Sequence, residues 1–141
     1  TNYELDTRTV LLLRYPGMPN RGRQTAALVE LLDIYPTLVE LCGLPPKEGL
    51  EGHSLAPQLK DARAPRAWPA ITTHNHDSHG IRSEDWRYIR YADGSEELYD
   101  MRNDPNEWNN LAVTRVDPSH ARVIARFRRH IPQVNVPQRR K

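Results

Sequence analysis

The stretch "WRYIRYADGSEELYD", from Trp86 to Asp100, constrains the fold most. Trp86, Tyr88 and Arg90 alternate with Arg87, Ile89 and Tyr91, the period of a strand with two different faces. Ala92 to Ser95 then supplies an Asp-Gly pair, which readily takes the positive φ of a tight hairpin, and "EELYD" returns antiparallel. "WPAITTH" (Trp68 to His74) reads as a further strand, so a small antiparallel sheet is expected. "DPSHARVIARFRRHI" opens with Asp117 as a cap and Pro118 at the first helical position. It places Ala121, Ile124, Phe127 or Arg128, and Ile131 at helical spacing, so its apolar edge is expected to cover one sheet face.

Between hairpin and helix, Asp104-Pro105-Asn106-Glu107 has the pattern of a capped one-turn helix, with Glu107 reaching back to the cap's N–H. Trp108 and Leu111, three apart, would then face one core.

The first half differs. "TRTVLLLRYPG" (Thr7 to Gly17) is a nearly continuous apolar run ended by Pro-Gly, as in a strand covered on both faces. Nothing near it offers a comparable strand, so its sheet is expected outside this chain. In "LLDIYPTLVELCG", Asp33 can cap, Pro36 sits in the first turn and Gly43 ends a helix with an apolar stripe of Ile34, Leu38 and Leu41. A loop rich in Pro and Gly is expected from Leu44 to Arg66.

The 141 residues suffice for one core, and twelve prolines favour many connections over long elements. No apolar run approaches a membrane span, Val10 to Leu13 being only four residues. No signal peptide is evident, and the start at Thr1 suggests a processed, cropped or internally cut polypeptide. The single cysteine, Cys42, excludes an internal disulfide and a cysteine-type zinc site. All eighteen acids lie at or before Asp117, whereas seven of the twenty Lys and Arg lie from His120 to Lys141, a strongly basic tail.

Four stretches, in order, resemble the sulfatases of the alkaline phosphatase superfamily. "TNYELDTRTVLLLRYPG" is similar to the segment after the catalytic lysine of that family, and "LLDIYPTLVELCGLP" to its D-x-x-P-T-L-L-x-L-x-G helix. "LEGHSLAPQLK" resembles L-x-G-x-S-L-x-P-L-L. "IRSEDWRYIRYADGSEELYDMRNDPNEWNNLA" resembles the closing region, notably of the iduronate-2-sulfatase-like and arylsulfatase branch. The resemblance covers Thr1 to about Ala112. Val10 replaces the family's usual proline, and His53 stands where an Arg is common.

The resemblance implies an α/β fold, α+β within this chain. Residues 1–64 would be the end of the large catalytic domain, and residues 65–141 a C-terminal subdomain of antiparallel sheet, helix and basic tail. It further implies a hydrolase of sulfate esters, acting on sulfated carbohydrate through a formylglycine made in a C/S-x-P-x-R motif. A divalent cation, calcium in the usual case, would be bound by the N-terminal part, and the protein would be periplasmic or secreted. Cys42 is followed by Gly43, Leu44 and Pro45, which departs from that motif, so a buried helix-end thiol is expected instead. The chain is thus expected to supply structure and substrate contacts to the rest of the catalytic domain, with neither catalytic nor metal residues of its own. A phosphodiesterase or phosphonate monoester hydrolase of the same superfamily, and a non-enzymatic anionic-glycan binding module, are the alternatives.

"THNHDSHGIR" gathers His74, His76, His79, Asp77 and Arg82 between two strands. A transition-metal site, a solvated polar loop and a substrate-facing loop are all compatible with it. In resembling enzymes the C-terminal subdomain leans over the catalytic cleft, which makes His74, His76, His79 and Arg82 the substrate-binding candidates, Arg82 offering a bidentate fork to sulfate oxygens. Arg122, Arg126 and Arg129 share a face of the last helix. Without interleaved aromatics beyond Phe127, a solvated face is expected rather than nucleic-acid binding.

Overall fold

A computed structural model describes residues 1–19, 21–113 and 117–136. Its elements are α1 (Glu4–Thr7), a 3-10 turn (Leu31–Asp33), α2 (Ile34–Leu41), α3 (Ala56–Lys60), β1 (Ala70–Thr73), β2 (His79–Arg82), β3 (Trp86–Arg90), β4 (Glu96–Asp100) and α4 (Pro118–Arg128). They fall into two units, one of Thr1–Val10 with the chain from Pro69 onward, the other Leu11–Trp68. No helix of the described residues is long and apolar enough to cross a membrane.

The first unit is built on an antiparallel sheet in the order β1-β2-β3-β4. Its register sets Ile81 against Tyr88 and Tyr88 against Leu98, so these three line one face. Phe127 and Ile131 bury that face, with Ile124 and Val123 beside them, and the Phe127 ring lies parallel to Tyr88 at 6.0 Å. Asp117 caps α4 as its sequence predicts, its carboxylate accepting the N–H of Ser119 at 2.7 Å. Ala121 is exposed, however, and Phe127 rather than Arg128 takes the core position. Arg128 instead turns to Glu96, at 2.7 and 2.5 Å.

On the opposite face Ile89, Tyr99 and Met101 pack with Tyr3 and Tyr91. The N-terminal segment covers this side, so the sheet is clothed by α4 on one face and by residues near Asn2 and Tyr3 on the other.

Three expectations are corrected here. The stretch between the expected strands contains β2, paired residue for residue with β1 from Ala70–Arg82 to Thr73–His79. Its sequence, His79-Gly80-Ile81-Arg82, hides the strand because a histidine and a glycine take buried positions there. Glu107 does not close a helical turn. It adopts φ +59° and leaves Asp104 to accept the N–H groups of Trp108 (3.1 Å) and Asn109 (2.8 Å). Trp108 is therefore 80% exposed, while Leu111 alone packs on the core.

In the second unit, α2 forms where the sequence places it, but its buried face is polar. Asp33 and Thr37 are fully buried, whereas Leu38 of the expected apolar stripe is half exposed. The Asp33 carboxylate accepts the N–H groups of Glu30 and His53, each at 2.8 Å, and the guanidinium of Arg66. Thr37 donates to the carbonyl of Asp33 (2.6 Å) and accepts from Leu55 N–H (2.8 Å). Gly52 makes this contact possible, since a Cβ there would lie 2.1 Å from the carbonyl oxygen of Leu32. Beyond it, α3 occupies part of the expected loop, with Ala56 and Leu59 buried. The stretch from Thr7 to Gly17 forms no ladder among the described residues, and Val10 and Leu12 are more than four-fifths exposed. An isolated strand has no partner for its backbone groups, so the pattern is realised only beside other strands.

Candidate functional site

The β1–β2 turn carries the histidine cluster. Asn75 and Asp77 adopt left-handed φ of 67° and 55°, which Asn and Asp tolerate better than most residues, and His74 N–H closes the turn on the Ser78 carbonyl at 3.0 Å. Asn135 donates to the Asp77 carboxylate at 3.2 Å. His74 and His76 are consequently exposed at the tip.

His79 and Arg82 are placed differently. His79, on β2, is buried; its Nδ1 lies 3.0 Å from Thr73 Oγ1, and its Nε2 lies 3.6 Å from the Asp77 carboxylate. Arg82 runs back toward Glu4 at 3.3 Å and donates to the carbonyls of Ser83 and Glu84. The structure therefore leaves His74 and His76 exposed on the turn and directs His79 and Arg82 into the unit. Among the described residues, no group of three or more His, Cys, Asp or Glu is positioned to hold a metal ion. Cys42 is exposed at the end of α2, against the expected burial.

An ion cluster missed in the sequence lies beneath the N-terminal segment. Arg87, 2% exposed, meets Glu4 and Glu107, each at 2.5 Å, and donates to the Asn2 carbonyl at 2.7 Å. Glu107 in turn accepts the N–H of Glu4 at 2.8 Å. Burial pushes the Glu4 carboxyl up, but the hydrogen bond and charge of Arg87, helped by Arg82, hold it below the usual carboxylate range. For Glu107 burial prevails over the N–H of Glu4 and the Arg87 charge, and its pKa is raised. The only sequence signal for this cluster was an arginine on the apolar side of an alternating strand.

Next to this cluster, three phenols surround one carboxylate. Tyr3 donates to Glu97 at 2.9 Å, Tyr99 donates to the same carboxylate at 3.0 Å, and the Tyr3 and Tyr91 hydroxyls are 3.2 Å apart. Burial, the neighbouring hydroxyl and the Glu97 charge raise the Tyr91 pKa well above that of free tyrosine. A pocket of about 130 Å³ opens beside them, lined by Thr1, Asn2, Tyr3, His74, Asn75, Ser78 and Tyr91. It joins the histidine turn to the N-terminal segment.

The N-sulphoglucosamine sulphohydrolase C-terminal family matches residues 1–136. The chain belongs to this family of sulfatase C-terminal domains. It is similar to a sulfatase from Formosa agariphila, 40% identical over 110 residues, which cover 78% of this chain and 22% of the relative. It is also similar to human arylsulfatase K, 33% identical over 128 residues, 79% of this chain and 23% of that protein. The chain thus spans less than a quarter of the length of these relatives. Its fold matches a protein solved with its substrate D-glucosamine-2-N,6-O-disulfate, with a TM-score of 0.61 and 24% identity over 70% of this chain and 22% of that one.

As a sulfatase C-terminal domain, the chain has neither the C/S-x-P-x-R motif nor a constellation of oxygen ligands for a hard cation among its described residues. Arg122 and Arg126 are exposed on α4 and Arg129 at its C-cap, and Arg139, Arg140 and Lys141 of the basic tail lie outside the described residues.

Proposed function

We propose that the complete protein hydrolyses sulfate esters of sulfated carbohydrates, and that this chain contributes substrate contacts rather than the reacting groups. The observation that carries the reading is the family match over residues 1–136, supported by 40% identity to a sulfatase. A formylglycine and a divalent cation, calcium in this reading, belong to the part of the protein beyond these residues. They supply the activated nucleophile and the neutralisation of charge on the transferred group.

Residues 1–64 are read as the end of the catalytic domain and residues 65–141 as a subdomain facing its cleft. The exposed Val10, Leu12, Leu31, Leu32 and Leu38 suit burial against the rest of that domain. In this reading His74 and His76, exposed at the turn tip, donate to anionic sugar or sulfate oxygens. His79 and Arg82 act on them from behind, by holding β2 and the turn. A periplasmic or secreted location accords with a sulfated-glycan substrate.

The test is a paired assay on the full-length protein with 4-nitrophenyl sulfate and a phenyl phosphonate monoester. The sulfatase reading expects the sulfate ester to be turned over with the higher kcat/KM and the rate to be lost on chelation. A preference for the phosphonate would favour the superfamily's other chemistry.

A further inference from the structure

We propose that the outward face of α4, with Arg122, Arg126 and Arg129, is a binding surface for a sulfated polysaccharide chain. The proposal rests on the sulfated-carbohydrate reading above and adds to it a contact with the polymer that carries the ester.

The two sides of the helix differ in kind. Val123, Ile124, Phe127 and Ile131 pack on the sheet, while Arg122, Ala125, Arg126 and Arg129 are exposed. Arg129 is the C-cap, yet its φ of −71° and ψ of −18° are still helical. The three arginines therefore follow one stripe, about 10 Å long. Ala125 lies among them, and its short side chain lets a polymer lie along the stripe. α4 covers one face of the sheet and Tyr3 packs against the other, so the thickness of the sheet separates this stripe from the N-terminal segment.

The unit does not balance these charges. α4 contains no Asp or Glu, and among the described residues no carboxylate pairs with Arg122, Arg126 or Arg129. Of the carboxylates that reach the helix, Glu96 is taken by Arg128 and Tyr88, and Asp117 accepts the N–H of Ser119, with His120 at 3.9 Å. Arg126 lies over the Phe127 ring, 5.1 Å from its centroid. Like charges four residues apart weaken a helix. The dipole favours Arg126 and Arg129 in the last turn, but Arg122 is too far from the C-terminus to gain from it. A polyanion laid along the stripe removes the repulsion.

The chemistry of the stripe selects the polyanion. A guanidinium donates in a fork that fits the oxygens of a sulfate, and a row of three suits repeated sulfates on one chain better than a single ion. No aromatic ring is offered for nucleic-acid bases to stack on, since Phe127 is only 2% exposed. The large apolar side chains of α4 are turned to the sheet, which leaves none to enter a membrane surface.

The test is calorimetric titration of the full-length protein with a heparin octasaccharide across a salt series. Arg122→Glu and a triple variant with Arg122, Arg126 and Arg129 changed to Gln are compared with the unaltered protein. Arg122→Glu sets a carboxylate four residues before Arg126, the order that supports a helix, so it should melt no lower than the unaltered protein. It should nevertheless bind the octasaccharide about tenfold more weakly, as expected for one lost charged contact. The triple variant should reduce the slope of log affinity against log salt by about 2, the release of counterions from three contacts. Both variants should turn over 4-nitrophenyl sulfate at the unaltered rate. Unchanged octasaccharide affinity in the triple variant overturns the proposal, as does no binding by the unaltered protein, or tighter binding of a single-stranded DNA of equal charge. Failure of the sulfatase reading would be seen separately, as absent turnover of 4-nitrophenyl sulfate while the octasaccharide still binds.

Discussion

Arg87 and Glu107 form an ion pair at 2.5 Å, although one lies mid-strand in β3 and the other in an irregular turn twenty residues later. Both side chains are almost fully buried, at 2% and 5% exposure. The pair explains why Glu107 abandons the local helix start and accepts a left-handed backbone. A buried guanidinium without a carboxylate is far costlier than a lost cap or a strained φ. Replacing Arg87 by Ala should therefore destabilise the unit by about 3–5 kcal/mol, because Glu107 remains buried without its cationic partner, while Glu4 keeps only Arg82. Chemical denaturation of the full-length protein and the variant measures this; a loss below about 1 kcal/mol would show that the cluster is not a structural requirement.

The same cluster changes the expectation for truncation. From the sequence, a chain starting near Pro65 should retain a self-sufficient sheet and helix. In the structure it would lose the Asn2 carbonyl, the Glu4 carboxylate and the Tyr3 ring, all of which cover the second sheet face. A polypeptide of residues 65–141 is expected to melt at a lower temperature than residues 1–141, and to bind a hydrophobic dye. Equal melting temperatures would contradict this packing.

The four candidate residues should separate by mechanism when replaced by Ala in the full-length enzyme. His74 and His76, at the exposed tip, should raise KM for a sulfated sugar with little change in stability, as lost ground-state binding does. His79 and Arg82 should chiefly lower the melting temperature, because they anchor Thr73 and Glu4. Steady-state kinetics beside thermal melts distinguish the two pairs, and a pure KM effect at Arg82 would reverse its assignment.

What was legible in the sequence follows from how local the determinants are. β3, β4 and α4 were readable because alternation, an Asp-Gly turn and an Asp-Pro cap act within a few residues. β2 was not, since His79 and Gly80 are tolerated inside it only through Thr73 and Asn2, which come from other segments. The buried polar face of α2 was equally hidden. Asp33 serves Arg66 and His53, and nothing in the helix announces that they will converge. Likewise the histidine turn was visible as a cluster, but not the pocket, whose walls join residues 1–3 to the turn and to Tyr91, far apart in the sequence.

The carboxylates give the fold an acid limit. Hydrogen bonds from Arg102 hold Asp100 at about 2, and Arg128 hydrogen bonds lower Glu96; Glu4 is lowered despite its burial. Each carboxyl with a lowered folded pKa contributes stability in full above its unfolded value, 3.8 for Asp and 4.5 for Glu, and loses it as the pH falls through its folded value. Glu107, raised by burial, runs the other way and adds nothing to this loss. Melting temperatures should therefore fall as the pH drops from about 4.5 toward 2, and Asp100→Asn should flatten the lower part of that curve. A variant with an unchanged profile would remove Asp100 from the account.

The central proposal is that the complete protein hydrolyses sulfate esters, with this family domain contributing to its substrate contacts. Release of inorganic sulfate from a sulfated sugar by the full-length protein, followed with and without a chelator, tests it most directly. The account predicts sulfate release that the chelator abolishes and that calcium restores. No sulfate release from the sugar, alongside efficient cleavage of a phosphonate monoester under the same conditions, would contradict it.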